Sequence, residues 1–357
     1  MRAIWRSLLF SAALVTSVGQ ISIGQALAGE TRARQILDRF EHANQWRDHV
    51  MVAAHRAGSM QAGKTLYAEN SLAAVEASIA LGAEIVEVDI RRSRDGEFVV
   101  MHDSWLDRTT NCKGEVVNYT VAELKRCRLV IEGTGAVTDE TVSTLREMLT
   151  ATRDRILINL DNKLDVQALP GMIAVARELG MADQVIVKEN LWNQQRIDTV
   201  KAAVDAIGGG FQFMPIIADD AVHDAAFAEE VGRVFAPGAI ELINWRAGAE
   251  RLTETGGPLF SPRMRAVSVR GGWHIWADTY AIVNKPGGFL SGGRGDELAV
   301  AASLPAETYG FWAERGATII QTDEPKVAIG WLAANGFRVP YADEAKPAEP
   351  ANTASIN

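Results

Sequence analysis

The feature that most constrains this chain is an alternation that runs through most of its 357 residues. Short apolar runs are separated by stretches with helical periodicity. The strand candidates are HVMVAAH (49–55), AEIVEVDI (83–90), EFVVMH (97–102), RILINLDNK (155–163), QVIVKEN (184–190), GFQFMPII (210–217), AIELINW (239–245), WHIWADTY (273–280) and ATIIQTDEP (317–325). Between them lie helical stretches such as 71–82, 141–154, 166–180, 193–208 and 305–316. Such βα alternation builds a parallel sheet covered by helices. At this length its closed form is a (β/α)8 TIM barrel. Nine candidates compete for eight places, and AIELINW is taken as the extra one. The alternative, an open doubly wound sheet binding a dinucleotide, calls for G-x-G-x-x-G after the first strand, which this sequence lacks.

The ends read differently from the middle. Residues 1–28 have a basic start (Arg2, Arg6), an apolar stretch and the small-x-small triplet Ala26-Leu27-Ala28, the pattern of a secretory signal. The apolar run is shorter than the roughly 20 residues a membrane span needs. The expected organisation is therefore a signal peptide over 1–28, an N-terminal helix within 29–48, a catalytic barrel over 49–338 and a disordered tail rich in Ala, Pro and Glu over 339–357. The expected location is the periplasm or outside the cell, with no transmembrane span once the signal is removed. Loss of the signal takes two positive charges with it and moves the net charge from −9 to −11. An acidic chain is a poor partner for nucleic acid or anionic lipid. Cys112 and Cys127 are the only cysteines. In an oxidising compartment they are expected to pair.

Polar residues gather where a barrel places its chemistry, at the C-terminal ends of strands. His55-Arg56 ends the first run, Glu87 and Asp89 sit on the second, His102-Asp103 ends the third, and Asp161 and Lys163 end the fourth. Residues two apart on a strand point to the same side, so Glu87 and Asp89 face inward together while Val86, Val88 and Ile90 face the helices. Two inward carboxylates are costly unless a positive group lies between them. That group is either a barrel lysine or arginine, or a divalent cation. The third acid and the two histidines at neighbouring strand ends favour the cation, and all-oxygen ligands suit Mg²⁺ or Ca²⁺. His42, His49, His223 and His274 read as ordinary surface or core residues. His55 and His102 can divide acid and base work beside the metal. With Arg56 and Lys163 they suit an anionic phosphoryl group.

These residues resemble the glycerophosphodiester phosphodiesterases, a family within the phospholipase C-like phosphodiesterase barrels. The family's motifs stand here as HRAG (55–58), ENS (69–71), EVD (87–89), DGEFVVMHD (95–103), LDRTT (106–110), INLDNK (158–163) and GATIIQTDEP (316–325). The likeness runs from about residue 50 to 335. It implies a (β/α)8 barrel with one divalent cation, held by Glu87, Asp89 and Asp161. It implies His55 and His102 as the acid–base pair, Arg56 and Lys163 on the phosphate, and Glu69 in support. The implied reaction cleaves a small-molecule glycerophosphodiester to an alcohol and glycerol 3-phosphate, with water or a substrate hydroxyl as nucleophile. Three departures stand out. Ala57 is inserted in His-Arg-Gly, Asp161 replaces the family's glutamate, and WADT (276–279) replaces its W-T-V-N, where Trp276 is the candidate substrate contact. Asp-x-Lys also occurs in the sphingomyelinase D relatives, so a phospholipase D-type activity on lysophospholipid or sphingolipid head groups is the alternative. A non-catalytic exported binding protein is a third reading, opposed by the acid–base pair. The glycine-rich insertion 284–297 reads as either a mobile lid or a surface loop. Trp105, Trp192 and Trp245 are further pocket candidates.

Overall fold

The computed structural model describes residues 30–247, 251–280, 289–291 and 293–342. The segments assigned to the signal peptide (1–28) and to most of the tail (343–357) lie outside them, as do 284–288 and 292 of the insertion. Contacts divide the chain into Thr31–Pro340 and a second unit, Met1–Glu30 with Tyr341–Asn357, of which only residues 30, 341 and 342 are described. Among the described residues no helix is long and apolar enough to cross a membrane.

Thr31–Pro340 is a closed barrel of eight parallel strands. They are β1 (Met51–Ala54), β2 (Ile85–Arg92), β4 (Leu157–Asn162), β5 (Val185–Asn190), β6 (Gln212–Ala218), β7 (Ala239–Ile243), β8 (His274–Asp278) and β9 (Ala317–Thr322). β1 pairs with both β9 and β2, which closes the ring. The extra strand is not AIELINW, which forms β7. It is β3 (Phe98–Val100), which pairs antiparallel with β2. The sequence could not separate the two, because a short apolar run has the same pattern in either direction. His102 thus reaches the barrel mouth on the return arm of a hairpin, not at the end of a barrel strand.

Helices follow each barrel strand and supply the outer layer. Their ends are set by local chemistry. Ser71 caps Leu72–Leu81, Thr144 with Glu147 forms a capping box on Leu145–Thr152, and Gly82 closes the former in a left-handed turn. Val86, Val88 and Ile90 of β2 join the apolar layer beneath these helices, while Glu87 and Asp89 alternate inward, fully buried. At the opposite end of the barrel the helix Arg32–Glu41 buries Ile36, Leu37 and Phe40. The imidazole of His274, at the start of β8, bonds the Arg39 carbonyl at 2.9 Å. Val339 and Pro340, assigned to the tail from sequence, are hydrogen-bonded here: the Arg39 guanidinium donates to both carbonyls, and the Val339 N–H to His49.

Between β3 and Leu145–Thr152 the chain makes an excursion with its own core of Met101, Leu106, Val116, Leu124, Cys127, Leu129 and Val142. It contains an antiparallel hairpin (Arg128–Ile131 with Ala136–Thr141) and the Cys112–Cys127 disulfide. The sequence reading expected the bridge but not the second core.

Candidate active site

Strand register brings the acids together. Asp89 on β2 lies beside Asp161 on β4, and Asp161 lies beside Lys188 on β5. One carboxylate oxygen from each of Glu87, Asp89 and Asp161 falls within 4.8 Å of the others. Lys163 places its ammonium 2.7 Å from Asp161 and 3.1 Å from Asp89. Lys188 lies 3.1 Å from Glu241 and about as far as an ion pair reaches from Glu87 (3.9 Å) and Asp161 (4.0 Å). The sequence reading missed Lys188, although a lone lysine in the apolar run QVIVKEN is itself a signal: it must point inward to a charge partner or out to solvent.

Both readings of the acid pair are therefore present in part, since lysines do approach the carboxylates. Charge decides between them. Four carboxyl groups (Glu87, Asp89, Asp161 and Glu241) face two ammonium groups and the Arg56 guanidinium; Glu87 Oε1 is buried with no hydrogen-bond partner, and Asp89 Oδ1 has the Lys163 ammonium at 3.1 Å without a well-directed hydrogen bond. Burial, and then the charge on Asp89, pushes the Glu87 carboxyl up to about 8. Burial alone would raise Asp89 as well, but Lys163, with His102 and Arg56 behind it, holds it well below the usual carboxylate range. A site that can stay ionised only by leaving one carboxyl protonated lacks positive charge. A buried Glu87 oxygen without a hydrogen-bond partner and two further carboxylates within reach fit a hard divalent cation.

Arg56 sits in a tight turn in which Arg56, Ala57 and Gly58 all have positive φ (46°, 70° and 80°). A Cβ on Gly58 would lie 2.5 Å from the Ser78 hydroxyl, so only glycine fits. Ala57, the inserted residue, takes a left-handed conformation that costs an L-residue about 1–2 kcal/mol. Its carbonyl accepts the Ser78 hydroxyl at 2.8 Å, which helps hold it there. Arg56 is held among carboxylates. Its N–H donates to Glu87 at 2.9 Å and its guanidinium to Glu69 at 2.9 Å, with Asp89 at 3.8 Å. Asn70 donates to Asp89 at 2.7 Å and accepts the Asp89 N–H at 3.1 Å, fixing the carboxylate's rotation.

The two histidines reach the mouth by different routes, and each has an aspartate on Nδ1. His55 follows β1 and meets Asp323 at 2.8 Å; Tyr280 stacks on its ring at 3.9 Å between centroids. Burial holds His55 below its ordinary range, opposed by Asp323. His102 meets Asp103 at 2.7 Å. Its carbonyl accepts two bonds from Arg91, and the Met101 N–H bonds the Asp89 carbonyl, so the hairpin is registered against β2. Arg108 forks between Asp103 and Glu69, with Glu132 at 3.0 Å. The bonds of His102 and Arg108 hold Asp103 well below the carboxylate range, against its partial burial.

Trp276 does not stand at the mouth. Its ring is fully buried inside the barrel, and its N–H donates to Gln321 and Asp278. Strand alternation turns Trp276 inward beside Glu241, its register partner on β7. Trp105 (52% exposed) and Trp192 (47%) are surface residues, the latter under the Arg196 guanidinium.

Fold and site together define a (β/α)8 barrel whose C-terminal mouth carries an acid triad flanked by two histidine–aspartate pairs. Residues 55–205 match the glycerophosphoryl diester phosphodiesterase family. A glycerophosphodiester phosphodiesterase of Caldanaerobacter subterraneus subsp. tengcongensis is 32% identical over 143 residues, 39% of this chain and 57% of that protein. The chain spans about half the length of the curated relatives it matches. Among solved structures, a Parabacteroides distasonis glycerophosphoryl diester phosphodiesterase shares the fold at 19% identity and TM-score 0.59, covering 85% of this chain and 92% of that one. An Oleispira antarctica phosphodiesterase, solved with the product sn-glycerol 3-phosphate, does so at 17% identity and TM-score 0.51, covering 79% and 96%. Residues 55–205 of this chain are thus similar to the glycerophosphodiester phosphodiesterases.

Proposed function

We propose that the chain is an exported, metal-dependent glycerophosphodiesterase that hydrolyses a glycerophosphodiester to an alcohol and glycerol 3-phosphate. One observation carries the reading: two histidines, each oriented by an aspartate, flank three clustered carboxylates, of which Glu87 has a buried oxygen without a hydrogen-bond partner. A binding protein needs no such pair. The Oleispira phosphodiesterase of the same fold is solved with glycerol 3-phosphate as its product, in keeping with this reaction class.

Glu87, Asp89 and Asp161 would hold one Mg²⁺ or Ca²⁺, which supplies charge to the phosphoryl oxygens. Lys163 and Arg56 add fixed positive charge beside it. With a cation held there, Lys163 would be free to turn its ammonium from these carboxylates to the substrate. His55, buried and shifted by that burial below its ordinary range, suits the base that takes the nucleophile's proton, from water or a substrate hydroxyl; a cation bound nearby would strengthen that bias. His102, more open to solvent, suits the acid that protonates the departing alcohol. The test is a panel of phosphodiesters with product identification, with chelator and with added Mg²⁺ or Ca²⁺. Glycerol 3-phosphate from glycerophosphocholine, lost with chelator and restored by metal, is the expected result. Turnover of long-chain lysophospholipids or sphingomyelin alone would assign the phospholipase D-type alternative, and full activity in chelator would sink the metal.

A further inference from the structure

The dyad at His55 has a third member that the sequence does not advertise. Asp296, in GRGDE (293–297) at the end of the insertion, is a carboxyl side chain only 2% exposed. One carboxyl oxygen accepts from the hydroxyls of Thr279 (2.9 Å), Thr322 (2.8 Å) and Tyr309 (3.1 Å). The other accepts the backbone N–H of Asp323 at 2.9 Å. Asp323 is the residue that holds His55 Nδ1. The Asp296 N–H in turn bonds the Thr279 carbonyl at 2.7 Å, and the Thr279 N–H bonds the Gln321 carbonyl at 2.8 Å. Thr279 and Asp296 thus form the neck of the segment between β8 and the short helix Asp296–Val300, and that neck is fastened to the end of β9. Tyr280, the first residue beyond the neck, stacks on the His55 ring.

Burying a carboxyl this completely is costly unless it is fully hydrogen-bonded. Its position would be filled more cheaply by an apolar side chain if it served packing alone. Burial, with the Asp323 charge, pushes the Asp296 carboxyl well above the usual range. Either protonation state keeps an oxygen that can accept the Asp323 N–H. What the bonds achieve is geometric: they fix the peptide of Asp323, and so the direction of its carboxylate, at the point where β9 runs out. Resting on the glycerophosphodiesterase reading, we propose that Asp296 is a positioning residue, orienting the His55 imidazole through the Asp323 backbone and tying that orientation to the closed neck of the insertion.

The experiment compares Asp296→Ala and Asp296→Asn in the full chain, loaded with Mg²⁺ or Ca²⁺, on glycerophosphocholine. A misplaced base loses turnover rather than substrate affinity, so Asp296→Ala should lower kcat by about 10–100-fold with KM little changed. Asp296→Asn keeps an acceptor for the Asp323 N–H and should recover most of the rate. The His55 ring nitrogens, followed by ¹⁵N NMR, should lose the hydrogen-bonded Nδ1–H signature in the alanine variant and keep it in the asparagine variant. Thr322→Val, nearly isosteric, removes one hydroxyl that aims Asp296 and should give a smaller loss of the same kind; it serves where Asp296→Ala does not fold. A folded Asp296→Ala, or failing that Thr322→Val, with wild-type kcat and an unchanged His55 signature overturns the proposal. If the wild-type protein cleaves no glycerophosphodiester, the functional reading fails, while the NMR comparison still decides the role of Asp296.

Discussion

The two histidine–aspartate pairs are alike in distance and unlike in everything behind them. The His55 side chain is 7% exposed and Asp323 1%; His102 is 19% exposed and Asp103 22%. Behind Asp323 stand a buried carboxyl, three hydroxyls and a stacked tyrosine. Behind Asp103 stands a quarter-exposed arginine shared with two glutamates. One wing is thus held by neutral hydrogen bonds in a dry setting, the other by ion pairs in contact with water. The same primary contact is insulated from salt and solvent on one side and open to both on the other.

The comparison breaks first at the imidazoles themselves. His55→Ala and His102→Ala should each lower kcat/KM by about 10²–10⁴-fold, the usual worth of a positioned acid or base, with the circular dichroism spectrum unchanged. A variant retaining full activity removes its wing from the mechanism.

The next largest effect separates the wings by stability. The Cys112–Cys127 bridge closes a loop over a sequence separation of 15 within the excursion that carries Arg108. Replacing both by serine should cost about 3 kcal/mol for a loop of that length. Hydrogen exchange should show the loss confined to residues 101–144, with β1 and β9 protected as before. Equal loss of protection around His55 would deny the excursion its separate core.

The aspartates sharpen the contrast. Asp323→Ala leaves a buried imidazole without its partner, and about a 100-fold loss in kcat is expected; at Asp103, water can take the vacated place, and about 10-fold is expected. Raising ionic strength should deepen the defect of Arg108→Gln little but lower wild-type activity through the exposed wing, read as kcat against salt. Equal losses at the two aspartates would show that burial does not distinguish them.

Another buried histidine calibrates burial without a carboxylate. His274, bonded to Thr318 and the Arg39 carbonyl, is lowered to about 3 by burial. Its folded value lies below its unfolded value, so the stability it contributes is complete above about 6.5 and is lost as pH falls toward 3. The slope is about 1.4 kcal/mol per pH unit. Denaturant unfolding at pH 7, 5 and 4 should show that slope in wild type and a shallower one in His274→Gln.

Much of the site was legible because it obeys short rules. The spacing of Glu87 and Asp89 puts both on one face of any strand, and the apolar residues between them say which face is inside. His55, Asp161 and Lys163 end runs that could only be strands. The errors have equally local causes. FVV and AIELI look the same to a periodicity count, so the extra strand was misplaced. Trp276 was read as a substrate contact, and its full burial could not be seen because depth along a strand is invisible in one dimension. Lys188, Arg108 and Asp296 were given no role, since each matters only through a partner on a distant element.

Sequence alone determined that this chain closes into a barrel and that acids and histidines gather at one end of it, because period-2 alternation and the order of elements are properties of the chain itself. Tertiary structure alone decided which acid meets which base. Asp323 is 268 residues from His55 and Lys188 is 27 from Asp161; only ring closure and strand register bring such pairs within bonding distance. It also decided that one histidine is dry and the other wet, because burial is a sum over every element packed around a group and no single segment contains it.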